Sequence, residues 1–196
     1  MMSQKPYIIG ISGGSASGKT TFAGKVANAL AAGCGEEKVA IFHMDSYFKP
    51  REERPFVSAP VTGKMYVDDN HPLTADLPKL IRDLHVSISS AEYLYIIVEG
   101  LLVLYDKEIY DMLDLKLFVD CQADERIVRR LRRNMAERGL NFDEIAEVYL
   151  DMVRYRHDEY VENTKWKADL IINGSNFSST GFDAVLRLIS SNLSEG

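Results

Sequence analysis

The chain has 196 residues, 46% of them hydrophobic, enough to bury one sizeable core, and it reads most simply as a single domain over 1–196. Its 29 acidic residues outnumber its 23 basic ones, and the net charge of -6 argues against general affinity for nucleic acid or an anionic membrane. No apolar run is long enough to span a bilayer, MMSQKPYIIG holds no signal-type apolar core, and Cys34 and Cys121 lack metal-type spacing. The expectation is a cytoplasmic protein with reduced thiols.

In chain order, Tyr7 to Ser12 (YIIGIS) reads as a short buried strand, followed by a glycine-rich loop and an amphipathic helix beginning TTFAGKVANAL. The loop spaces Gly13 from Gly18, Lys19 and Thr20 as a phosphate-binding loop does, in the required strand, loop, helix order. An incidental Gly/Ser turn is the alternative, and the order of elements speaks against it. Gly13, Gly14, Ser15, Ala16, Ser17 and Gly18 would curl the backbone so that its N–H groups meet a polyphosphate at a helix N-terminus. Lys19, at the loop's exposed mouth, would reach the terminal phosphates; Thr20 would ligate Mg2+, with Thr21 beside it.

Further strands are predicted over Val39 to Met44, Tyr93 to Val98, Leu115 to Asp120 and Ala168 to Asn173, all apolar or β-branched runs. Helical patterns lie between or beyond them, over Asp76 to His85, Asp106 to Leu113, Ala123 to Glu137, Phe142 to Glu162 and Thr180 to Leu193. Such alternation implies an α/β sandwich around a mostly parallel sheet, with ligands at the carboxyl ends of its strands. Two acids stand there. Glu99 closes YIIVE as a metal-site acid would, and Asp45 follows VAIFHM, where it could take a proton from an attacking hydroxyl; either could instead cap a turn or helix.

The segment ADERIVRRLRRNMAERG places Arg126, Arg129, Arg130 and Arg133 on one helical face and Ile127, Val128, Leu131 and Met135 on the other. The apolar face is expected to pack and the arginine face to meet phosphate or solvent, with Arg138 and Gly139 ending a helix that could hinge as a lid.

With these residues in place the chain resembles the uridine kinase and phosphoribulokinase family of P-loop kinases, most closely its uridine kinase branch. The resemblance runs through GGSASGKTT, MDSYF, DDNHP, IIVEGLLVLYD, LKLFVDCQADERIVRRLRRNMAERG and NTKWKADLII, nearly the whole chain. It implies a P-loop NTPase-type three-layer sandwich with a five-stranded sheet and a helical lid over about residues 124–160. ATP or GTP would be the phosphoryl donor, Mg2+ the metal held at Thr20 and Glu99, and uridine or cytidine the family's acceptor. By resemblance Asp45 is the base, Lys19, Arg133 and Arg138 act on the transferring phosphate, and Tyr47, Asn70, His71 and Arg130 join Asp45 and Arg138 at the acceptor. Family members often form homo-oligomers, though no stripe in this sequence specifies an interface.

Departures gather on the acceptor side. Asn70 stands where uridine kinases commonly have an Asp that binds the ribose hydroxyls, Phe48 replaces a Tyr, Val148 a Gln and Leu140 an Arg. The segment that carries a Tyr and a His walling the pyrimidine is missing, leaving only VSISSAE. A different sugar, polyol or cofactor-precursor alcohol therefore stays open as acceptor, as does a nucleotide-dependent regulatory role. A GTPase or transport ATPase is disfavoured, because Asn-Lys-x-Asp, Asp-x-x-Gly and Leu-Ser-Gly-Gly-Gln elements are all lacking.

Overall fold

A computed structural model describes residues 5–193. The central sheet contains β1 (Tyr7–Gly13), β2 (Val39–His43), β5 (Tyr95–Glu99), β6 (Leu115–Asp120) and β7 (Leu170–Asn173), all parallel, in the order β2-β5-β1-β6-β7. β1 is central, and the runs Ile8 to Ile11 and Ile96 to Val98 are buried on both faces, as sheets covered by helices on each side require.

Alternation along these strands splits the core into two layers. Ile9, Ile11, Ile97, Leu117 and Val119 pack with Phe22, Val26 and Leu30 of α1 (Lys19–Cys34) and with Val185 and Ile189 of α7 (Ser179–Leu193). On the other face, Ile8, Ile96, Val98 and Phe118 pack with Leu80 and Leu84 of α2 (Leu77–Ser90) and Ile109 of α3 (Lys107–Met112). Asp76 and Asp106 cap these two helices, their side chains accepting N–H bonds from Lys79 and Ile109 at 3.0 Å each.

Three expectations need amending. A two-stranded antiparallel hairpin, β3 (Phe56–Ser58) with β4 (Met65–Val67), follows β2, and strands of three residues are too short to show an alternation. After α4 (Ala123–Arg138), the single helix expected over Phe142 to Glu162 is α5 (Phe142–Val148) and α6 (Arg154–Tyr160) joined by a π-helical turn at Tyr149–Val153. That turn carries Asp151, which accepts from the Thr62 N–H (2.9 Å) and hydroxyl, so the hairpin docks where the helix widens. Lastly, α2 continues to Ser90, which leaves only Ala91 to Leu94 before β5. No helix among the described residues is long and apolar enough to cross a membrane.

Candidate active site

The loop between β1 and α1 lies at the carboxyl end of the central strand. Gly18 adopts φ 98°, a left-handed conformation open to glycine, and a Cβ there would also meet the Phe177 ring at 3.0 Å. Ala16 holds φ 64° despite its side chain, a local strain of the kind kept at ligand-binding turns. Ser15 faces α4, whereas Ser17 is buried beneath the loop. Lys19 is not exposed as expected: it is 7% accessible, although it borders the two clefts described next.

One cleft, of about 680 Å3, is bounded by Ala16, Gly18, Thr20, Thr21, Arg129 and Phe177. The other, of about 440 Å3, is bounded by Asp45, Phe48, Asn70, Arg130 and Arg138. Lys19 and Arg133 line both clefts, so the two spaces meet at that pair of cations.

Glu99 ends β5 directly beside the loop. Its register partner on β2 is His43, and the two side chains meet, Nδ1 to Oε1, at 2.7 Å; the Thr20 hydroxyl donates to the other carboxylate oxygen at 3.1 Å. A 3% accessible carboxylate thus stands against a hydroxyl at the first turn of α1. Asp45 sits two residues past the end of β2, in a 3-10 turn over Met44–Tyr47, and is exposed to the second cleft.

The arginine stripe of α4 does point to the loop, but the helix is seated the other way round from expectation. Arg126 and Asn134 are buried while Val128 and Met135 are exposed. Periodicity shows which residues share a face and leaves open which face is covered; here the guanidiniums find oxygens. Arg126 Nε donates to the Cys121 carbonyl (3.0 Å), Arg129 Nη1 to the Gly174 carbonyl (2.9 Å), and Arg130 Nη1 and Arg133 Nη2 to Ser15 Oγ (3.1 and 3.4 Å). Burial, with Arg133 and Arg138 beside it, pushes the Arg130 pKa down to about 10; burial and then Arg138 lower that of Arg133. This crowding of cations is relieved by any anion that enters.

Two expected acceptor residues lie elsewhere. The Tyr47 hydroxyl donates to Asp83 of α2 at 2.9 Å, and its pKa is raised to about 12 by burial and that carboxylate. His71 Nδ1 accepts from the Leu73 N–H (3.1 Å) and its ring stacks edge-on to Tyr160 at 5.6 Å. Each is held by a neighbour outside the cleft. Asn70 does line the cleft, where its N–H donates to Asp68 Oδ1 at 3.0 Å; Asp68, fully buried, also accepts from Arg156 Nε of α6 at 2.6 Å. The sequence reading overlooked Arg51, Arg54 and Asp69, which line the same cleft from the segment before and after the hairpin.

A family model, that of the Phosphoribulokinase / Uridine kinase family, matches residues 58–180. A uridine kinase of Geobacillus kaustophilus is 36% identical, with 87% of both chains covered. One from Lactococcus lactis subsp. lactis is 34% identical over 98% of this chain and 100% of its own. A solved structure described as a possible uridine kinase from Bacillus stearothermophilus superposes with a TM-score of 0.56 at 20% identity, covering 87% of this chain and 90% of that one, and shares the fold. With a P-loop at the end of its central strand and this agreement along its length, the chain belongs to the phosphoribulokinase/uridine kinase family, as a uridine kinase-like phosphotransferase.

Proposed function

We propose that the protein transfers the γ-phosphate of ATP to a hydroxyl of a small, ribose-like acceptor, working as one kinase domain whose lid is α4 to α6. The observation that carries this reading is the pair Lys19 and Arg133 shared by two clefts, because a phosphoryl group moving from one space to the other passes between them. ATP would fill the cleft beside Thr20 and Arg129, its phosphates against the loop N–H groups, and the acceptor the cleft beside Asp45. The acceptor oxygen attacks the γ-phosphorus, the bond to the β-phosphate oxygen breaks, ADP leaves, and Asp45 takes the hydroxyl proton. Lys19, Arg130, Arg133 and Arg138 offset the charge on the transferring group.

Thr20 and Glu99 fit a Mg2+ site, since hydroxyl and carboxylate oxygens are the hard donors that ion takes, few from protein and the rest from phosphates and water. Bound there, the ion would neutralise phosphate charge. Because the relatives are uridine kinases, uridine and cytidine are the first acceptors to test. A second reading, another sugar or polyol, is favoured by the short Ala91 to Leu94 connection and by uncharged Asn70 in the cleft. A coupled assay of ADP release over nucleosides, sugars, polyols and cofactor precursors decides: turnover should require an acceptor, and acceptor-independent hydrolysis at an equal rate would instead indicate a nucleotide-dependent regulator.

A further inference from the structure

Of the two acids expected at the strand ends, Asp45 is exposed and Glu99 is buried. A buried carboxylate is costly unless donors meet it, and the sheet limits where those donors can stand. On one side the register partner of Glu99 is Ile11 of β1, whose side chain has no donor; on the other it is His43 of β2. The remaining donor is Thr20, from the first turn of α1. Each carboxylate oxygen therefore has its own bond, Oε1 with His43 Nδ1 at 2.7 Å and Oε2 with the Thr20 hydroxyl at 3.1 Å. An ionised carboxylate only accepts, so the proton of the first contact is on Nδ1. Bonds to both oxygens fix the plane of the group.

His43 has little else to do. Its side chain is 43% exposed and belongs to neither apolar layer of the core. Among the described residues it makes no other side-chain hydrogen bond or ion pair, and it lines neither the donor nor the acceptor cleft. What it touches is the carboxylate beside the phosphate loop.

On the kinase reading above, we propose that His43 is a positioning residue, whose Nδ1–H holds Glu99 in the orientation that a Mg2+ site shared with Thr20 requires. A hydroxyl that gives its hydrogen to Glu99 keeps its lone pairs for a cation, and each carboxylate oxygen keeps a second lone pair for the ion or one of its waters. Mg2+ tolerates little departure from octahedral geometry and takes few donors from protein, so the aim of one carboxylate weighs heavily. Groups that orient a metal ligand without touching the metal carry part of its affinity.

The test uses the full chain saturated with ADP and measures binding of Mn2+, standing in for Mg2+, from the electron paramagnetic resonance of the free ion. His43→Ala should weaken Mn2+ binding by about fivefold or more, as loss of a group that orients a ligand does. ADP affinity measured in EDTA should stay unchanged. His43→Asn, whose amide nitrogen can stand where Nδ1 does, should restore most of the loss, and in a Glu99→Ala background His43→Ala should add nothing, because no carboxylate is left to orient. In turnover, the Mg2+ concentration at half-maximal rate should rise in His43→Ala while kcat at saturating Mg2+ stays within about twofold. Mn2+ binding that is unchanged in His43→Ala, or weakened equally in His43→Asn, would overturn the role. Wild type binding Mn2+ no better than ADP does in solution would remove the metal site and the inference with it. Failure of the transfer reading shows itself differently, as ADP release that no acceptor accelerates, and leaves the binding result standing.

Discussion

The two clefts that meet at Lys19 are built from different material. Backbone dominates the donor cleft: the loop turns on Gly18, and Gly174 packs so closely on the loop that a Cβ there would stand 2.3 Å from the Ser17 carbonyl. Side chains make the acceptor cleft, drawn from the segment after β2, from the loop following the hairpin and from α4. A cleft made of backbone is fixed once the fold forms and tolerates little change. One made of side chains can change its ligand without changing the fold, and two of the departures from the uridine kinase pattern, Phe48 and Asn70, line it.

The sharpest way to break this contrast is at the shared cation. Lys19→Ala should lower kcat/KM by about 1000-fold, since it removes from the transferring phosphate the ammonium that stands on the loop itself, and the arginines beside it keep their own positions. Its thermal midpoint should not fall, because a buried ammonium that shares its clefts with arginines is removed and no apolar packing goes with it. Retention of near-normal turnover would separate the two clefts and end the transfer reading.

Asp45→Asn comes next and touches only the acceptor side. It should depress kcat by roughly 100-fold while affinity for MgATP is kept, because a proton acceptor is lost and no donor contact is. A matching loss of MgATP affinity in direct titration would place Asp45 on the metal instead.

How much of this was legible before the structure depends on the same contrast. Strand runs such as LKLFVD and YIIVE announce themselves, and the loop motif fixes Lys19, Thr20 and, through the strand end, Glu99 relative to one another. Between Phe48 and Asp76 the chain has no usable period, so the hairpin and the approach of Arg51, Arg54 and Asp69 could not be read. The stripe on α4 was visible but its seating was not, because buried arginines look like solvated ones until their oxygen partners are known. Tyr47 and His71 stand next to or near site residues in sequence yet turn to Asp83 and Tyr160.

Smaller effects are expected at the lid arginines and at the metal-site acid. Arg133→Ala should cost about tenfold to 100-fold in kcat, with Arg138→Ala at the lower end, as removal of single charge donors does. Both should leave the free energy of urea unfolding within about 0.5 kcal/mol of wild type, because each removes one cation from a crowded cluster and no apolar core packing; a larger loss with full activity would make them structural. Glu99→Gln should shift the Mg2+ dependence of turnover to higher concentration by several-fold, the carboxylate being one of few protein donors at that site. An unchanged Mg2+ curve would move the metal away from Glu99.

The least effect is expected at the seam between lid and loop, where His157 of α6 lies under Gly14: a Cβ on that glycine would come within 3.0 Å of the imidazole and 2.5 Å of Arg126. Burial first, and then the positive charge of Arg126, lower the His157 pKa from its usual 6.5, although Glu162 at 3.0 Å pulls the other way. The folded protein therefore holds this ring neutral where the unfolded chain protonates it. Its contribution to stability is complete above the unfolded value of 6.5 and is lost as pH falls through the lower folded value. In urea melts from about pH 8 to about pH 5, wild type should lose more stability on acidification than His157→Gln, whose side chain keeps polar atoms near Glu162 but cannot take the proton. Parallel curves for the two proteins would mean that His157 does not take up this proton differently in the folded and unfolded chains, and that the lid helix leans on the phosphate loop through packing alone.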